Sequence, residues 1–261
     1  MMQFRTPIPV FCLLLAAGSV SAQPAPAPIT SVAMFRVRPD RLERFVENVQ
    51  IVTSALDRLM QAGTIDAYGL DADVLHGDGP NVALWYETRN FAGLAEGDKA
   101  VQGAIRANAE KAKDVWAISD FEIHRDIIVR SLESGGGKVP AGALPVTFFQ
   151  IEKVKPGKMP VARMMFRHHD KPVLDQLVRE GVIYGYQVGV EAVHTMEPGT
   201  VWFLILAPGL ESMDKIRSAF AAAQEKMSEA DRRALEAMEE EVFDRKAHRD
   251  SVSRALIFRS R

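Results

Sequence analysis

The chain has 261 residues, 47% of them hydrophobic, enough for one large domain or two small ones with a buried core. Its 32 Lys and Arg stand against 34 Asp and Glu, a net charge of -2, so it lacks the basic footprint of a nucleic-acid binder. The single cysteine, Cys12, falls in the first 22 residues.

Those first residues, "MMQFRTPIPVFCLLLAAGSVSA", have an arginine near the start, a short apolar run and a small-residue end at Val20-Ser21-Ala22. This is the pattern of a secretory signal peptide, with an apolar run too short for a comfortable membrane span. Residues 1–22 are therefore expected to be removed, and residues 23–28 to form a Pro/Ala tether. The mature protein would be periplasmic or secreted, without stable membrane insertion. It would have no thiol, which excludes disulfides, cysteine catalysis and cysteine-ligated metal.

The folded part opens with "SVAMFRV", a β-favouring apolar run, and a Pro39-Asp40 turn. Leu42, Phe45, Val49, Val52, Leu56 and Leu59 then keep the three- to four-residue spacing of a helix with one buried face. Gly63 sits where a helix ends in a left-handed residue. Residues 67–76 alternate as a strand, "HGDGP" turns, and "NVALWYE" forms a third strand. A long Ala-rich helical region follows, and "HRD" from His124 leads into a last strand. There the block is expected to set an Arg-Asp pair at a helix C-terminus. "SGGGKVPAGA", residues 134–143, has the composition of a linker.

Then the text repeats. At an offset of 118 residues, Leu59, Gly63, Ile65, Tyr68 and His76 fall on Leu177, Gly181, Ile183, Tyr186 and His194. "HRDIIVRSL" returns as "HRDSVSRAL", and "RVRPD" as "KVKPG". Three matched blocks in one order imply two copies of a β-α-β-β-α-β unit, the ferredoxin-like split βαβ motif, over residues 29–133 and 144–261. The fold class is α+β. One departure is "FRHHDKPV" in the second copy, where Pro172 is expected to interrupt the first helix and Asp170 to cap its restart. Near the end, Ser228 is placed to cap a long final helix.

The strand, the "V-[RK]-P-[DG]" turn, the amphipathic helix and the hairpin ending "VALWYETRNFAGL" together resemble the dimeric α+β barrel superfamily, in particular its antibiotic-biosynthesis-monooxygenase-like and NIPSNAP-like branches. The resemblance covers nearly all of each repeat. It implies that the tandem units pack their sheets together as an intramolecular pseudo-dimer, often with a pocket inside. It implies no single chemistry, since the superfamily hosts oxygenases, cyclases, isomerases, haem-degrading enzymes and proteins without known chemistry.

Candidate site residues come from the repeated strand. Tyr68, Leu70, Ala72, Val74 and His76 share one face, as do Tyr186, Val188, Val190, Ala192 and His194. Such a stripe is either a pocket wall or a core face with polar tips. On the pocket reading His194 is the acid or base and Tyr186 its polar partner, while Tyr68, His76, Tyr184 and His168 contact the ligand. The second half is favoured because Tyr184 replaces Asp66 and only its helix carries His168-His169. The opposite face holds Asp71 and Asp73 in one copy, Gln187 and Glu191 in the other, expected to be a solvated edge or salt-bridge partners unless two carboxylates couple.

Adjacent histidines point apart on a helix and lack the spacing of a metal site, so no metal is expected. Nothing selects haem binding through His76, His194 or His169, and no nucleotide-binding motif or nucleophile elbow is present. The leading expectation is an exported barrel that binds a small, largely apolar molecule. It would catalyse isomerisation, cyclisation, lyase chemistry or oxygenation without a nucleotide cofactor. The rival is a non-catalytic binding or stress-associated barrel. Oligomeric state is not legible.

Overall fold

A computed structural model describes residues 27–74, 79–193 and 198–261. The expected signal segment, most of the tether, and both His76 and His194 lie outside the described residues.

The eight strands are β1 (Ile29–Val37), β2 (Ala67–Asp73), β3 (Val82–Thr88), β4 (Ser119–Gly136), β5 (Val146–Lys153), β6 (Gly185–Glu191), β7 (Thr200–Ala207) and β8 (Arg249–Ser260). They close into an antiparallel barrel in the order β1-β3-β2-β8-β5-β7-β6-β4. Each half contributes four neighbouring strands, and the seams are β2 against β8 and β4 against β6. β4 and β8 are the long strands, each pairing inside its own half and then across a seam.

Outside the barrel lie α1 (Leu42–Gln61), α2 (Phe91–Ala107) and α3 (Ala109–Ile118), then α4 (Met159–Met165), α5 (Lys171–Arg179), α6 (Ser212–Glu225) and α7 (Glu229–Val242). No helix among the described residues is long and apolar enough to cross a membrane. On α1 the expected stripe is the one that is buried: Phe45, Val49, Val52 and Leu56 pack on the sheet. Phe45 and Leu56, both fully buried, each contribute roughly 2 to 3 kcal/mol. The helix stops at Gly63, whose φ of 79° needs a residue without a Cβ, and Gly181 repeats this with φ 69°. Ser228 caps α7, accepting from the Asp231 backbone N–H at 3.1 Å, but the helix ends at Val242, short of the "HRD" block.

Pro172 does not interrupt its helix. α4 and α5 are joined through a π-helical turn, Phe166–Asp170, and Asp170 has helical backbone angles and makes no side-chain cap. A π turn admits one extra residue, which frees the proline from the carbonyl it would otherwise strike.

The expected linker is also partly strand, since β4 runs to Gly136. The residues after it turn over the end of the barrel at which β2 and β6 begin. There Val139, 8% exposed, joins Ala255 and Phe258 in one apolar cluster with Trp85, Tyr184, Leu206 and Ala143 packed around it.

A candidate site inside the barrel

Side chains alternate along a strand, so every strand of this barrel shows one face to the helices and one to the barrel axis. The helix-facing set includes Tyr68 and Leu70, Leu84 and Tyr86, Tyr186 and Val188, Phe203 and Ile205. The inward set includes Val32 and Met34, Asp71, Trp85 and Glu87, Ile127 and Val129, Gln187, Trp202 and Leu204, and Ala255 and Phe258. The interior is thus mainly apolar, with a few polar groups set into its wall.

Asp71 is the most distinctive of these. It is 5% exposed, and Trp85 Nε1 donates to its Oδ2 at 2.7 Å. Burial pushes its carboxyl up to about 7; the nearby Asp73 adds to the rise and the Trp85 bond opposes it. Trp85 reaches Asp71 because Gly69 stands directly opposite it: a Cβ at Gly69 would come within 2.7 to 2.9 Å of the indole and of the Ile257 carbonyl. On β3, Glu87 is also raised by burial, against a long contact of 3.5 Å from Gln187 Nε2 across the interior. Glu191, 8% exposed, follows on β6. Three further polar atoms, Thr30 Oγ1, Ser253 Oγ and Trp202 Nε1, are buried without a hydrogen-bond partner among the described residues. A surface cleft of about 370 Å³ opens near the β4–β6 seam, between Phe91, Arg130, Met159, Glu191 and Thr200.

These positions correct several expectations. The face carrying Asp71 and Glu191 is not a solvated edge; it is the buried lining of the barrel. The tyrosine stripe is not a pocket wall. Tyr68 donates to Asp57 Oδ1 at 2.6 Å and Tyr186 to Asp175 Oδ1 at 2.5 Å, both toward the helices. Burial, then the carboxylate each phenol meets, raises both pKa values. Lys171 also bonds Asp175, at 2.7 Å, and lies 5.9 Å from the Tyr186 ring centre. Each Asp precedes its Tyr by eleven residues, so the partnership was written in the sequence as part of the repeat.

Tyr184 does reach the interior, at the end covered by Val139. His168 is exposed and His169 half-buried, both on the π turn outside the barrel, so neither meets Tyr184 or Asp71. His76 and His194 lie outside the described residues. The "HRD" blocks form His-Asp pairs rather than Arg-Asp pairs: His124 Nε2 to Asp126 at 3.2 Å within β4, and His248 Nε2, just before β8, to Asp250 at 3.0 Å. Residues two apart on a strand share a face, whereas Arg and Asp, being adjacent, point apart. Burial favours the first half in ionisable lining, with Asp71 and Glu87 against Glu191. Among the described residues no group of three or more His, Asp and Glu is placed to hold a metal ion.

No family model matches the chain, and no curated protein matches it. Solved structures do. A candidate monooxygenase from Fusobacterium nucleatum superposes with a TM-score of 0.63 at 10% identity, over 90% of this chain and 95% of that one. One from Lactobacillus acidophilus gives 0.60 at 12%, over 90% and 96%. An anthrone oxidase-like protein gives 0.54 at 12%, over 90% and 93%. At such identities the likeness is one of fold.

Proposed function

We propose that the barrel interior binds a small, largely apolar molecule and that Asp71 exchanges a proton with it, without a nucleotide cofactor. One observation carries this reading: a carboxyl group 5% exposed on an apolar wall, held by an indole N–H and balanced at about 7. Such a group is populated in both protonation states near neutral pH, which is the requirement for a general acid or base. The chemistry that suits it starts by removing a proton from a carbon acid or a phenol. Isomerisation, cyclisation, lyase chemistry and cofactor-free oxygenation all begin this way. We favour oxygenation, because proteins of the same fold carry the names monooxygenase and anthrone oxidase.

The shell around this site is, in our reading, a tandem pseudo-dimer of ferredoxin-like units, residues 29–133 and 144–261, joined through 134–143. The recurring element order and the 118-residue offset support it. A symmetric shell with an asymmetric lining suits a single substrate: Asp71 faces Ala83 in one hairpin, where Gly189 faces Trp202 in the other. We further propose export after removal of residues 1–22, which N-terminal sequencing from Gln23 would bear out. His194 remains proposed as an additional acid-base group and His76 as a ligand contact, tested by replacing each with Gln.

The test of the main reading is oxygen uptake with anthrone, a tricyclic ketone with an acidic methylene, which takes up one O2 to give anthraquinone and water. The wild type should accelerate uptake over buffer with a pH dependence centred near 7, and Asp71→Asn should lower the rate by about 10²-fold or more while still folding. Equal rates in the two proteins would sink the role of Asp71. A second reading, a binding barrel without turnover, draws on the apolar packing of Val139 at one barrel end. It predicts anthrone binding by both proteins and no oxygen consumption by either.

A further inference from the structure

Trp85 and Trp202 face the barrel axis from β3 and β7, which stand diametrically opposite in the ring of eight. Each is paired with a glycine on the neighbouring strand, Gly69 and Gly189. The two indoles differ in one respect. Trp85 Nε1 is bonded to Asp71 at 2.7 Å, whereas Trp202 Nε1 is buried with no hydrogen-bond partner among the described residues, in a side chain 9% exposed. A buried donor without an acceptor carries its full desolvation cost, so native proteins seldom keep one without a use.

The surroundings narrow what the acceptor is. Trp202 clusters with Ile127 and Val129, and Ile151 and Leu204 pack against them. The wall there is mainly aliphatic, with Thr30 and Glu191 beside Val129 on its neighbouring strands, so an occupant must offer the N–H an acceptor and the wall carbon. An oxygen atom on an otherwise apolar ring system meets both demands: it accepts the N–H while its carbon frame packs on the aliphatic wall. Around the ring, β7 is three strands from β2 and its Asp71.

We infer that Trp202 Nε1 holds the carbonyl or phenolic oxygen of a small flat ketone or phenol, and so sets both the orientation and the selectivity of the barrel. This rests on the proposed role of the interior as the site of proton transfer. For a ketone the step balances within the site. The Asp71 carboxylate takes a proton from the carbon next to the carbonyl, and the C–H electron pair becomes the enolate C=C bond. The former C=O pair moves onto oxygen, where the indole N–H meets the developing negative charge in a setting of low dielectric. Return of the proton from Asp71 closes the cycle.

The probes are α-tetralone and tetralin, the same bicyclic skeleton with and without the carbonyl. The chain has three tryptophans, so indole ¹H–¹⁵N spectra carry three side-chain signals; the Trp202 signal is the one lost in Trp202→Phe, or is assigned through its backbone if that variant does not fold. α-Tetralone should move the Trp202 signal downfield and bind about tenfold more tightly than tetralin, and Trp202→Phe should erase that preference. Equal affinities for the two probes, or a Trp202 signal that stays in place while the Trp85 signal shifts, would overturn this inference and leave the barrel reading standing. If neither probe binds or disturbs any indole signal, both fall together.

Discussion

Toward the helices, the two halves of this protein hold the same posts. Tyr68 and Tyr186 occupy the same strand position, and each donates to an Asp on the helix above it. Toward the barrel axis the same strands diverge: Asp71 against Gly189, Gly69 against Gln187. The contrast follows from what each face must fill. Each helix layer packs on its own sheet, so one solution serves twice. The interior is a single space shared by both halves, and close packing forbids the same large side chain from entering it twice at one level. The tryptophans illustrate this. Trp85 faces Gly69 in the first hairpin, but in the second Trp202 faces Gly189, two residues further along β6 than the counterpart of Gly69.

The largest effect that would break this contrast lies at Asp71. In the unfolded chain its carboxyl titrates near the ordinary aspartate value; in the folded protein it is raised to about 7. Between those values the folded state holds a proton that the unfolded state has released. Stability contributed at this position is therefore highest below about pH 4 and falls as pH rises, with a penalty complete above pH 7 of about 4 kcal/mol. Asn accepts the Trp85 N–H without ionising. Urea unfolding should show Asp71→Asn gaining on the wild type from pH 4.5 to pH 8, and parallel stability curves would mean that the carboxyl is not desolvated as its burial implies.

Next come the matched phenols. Tyr68→Phe and Tyr186→Phe each remove a donor from a helix carboxylate, at a cost of about 1 to 3 kcal/mol. If the helix-facing side is scaffold in both halves, the losses should be similar in thermal melts, and α-tetralone affinity should not change. A selective loss of binding in Tyr186→Phe would return that residue to the site. The smallest effect is expected at Val139, which packs over one end of the barrel. Val139→Ala should cost about 1 kcal/mol yet speed probe dissociation in stopped-flow fluorescence, unlike either tyrosine variant; unchanged dissociation would mean that this end is not a route to the interior.

Much of the architecture was legible from residue patterns. The order of elements followed from period-two and helical spacings, and Gly63 and Gly181 marked the ends of two helices with the left-handed angles expected of them. Other features were legible but unread, such as the Asp57–Tyr68 and Asp175–Tyr186 spacings of eleven residues. The π turn at Phe166–Asp170 was visible only as a proline in the wrong place, because a one-residue insertion leaves the helical stripe on either side intact.

By itself the sequence determined the two-faced strands, the helices that cover them and the repetition of the unit, because local propensity and spacing act within a few residues of one another. Which strand face would become the interior was decided by tertiary structure alone. In a closed barrel wrapped by helices both faces are buried, so hydrophobicity does not label them. Asp71 and Glu191 looked like surface residues because aspartate and glutamate usually are. Only closure of the ring, through β2 against β8 and β4 against β6, carried them inside. The same closure withdrew water from Asp71 and gave its carboxyl a pKa that no stretch of sequence could have specified.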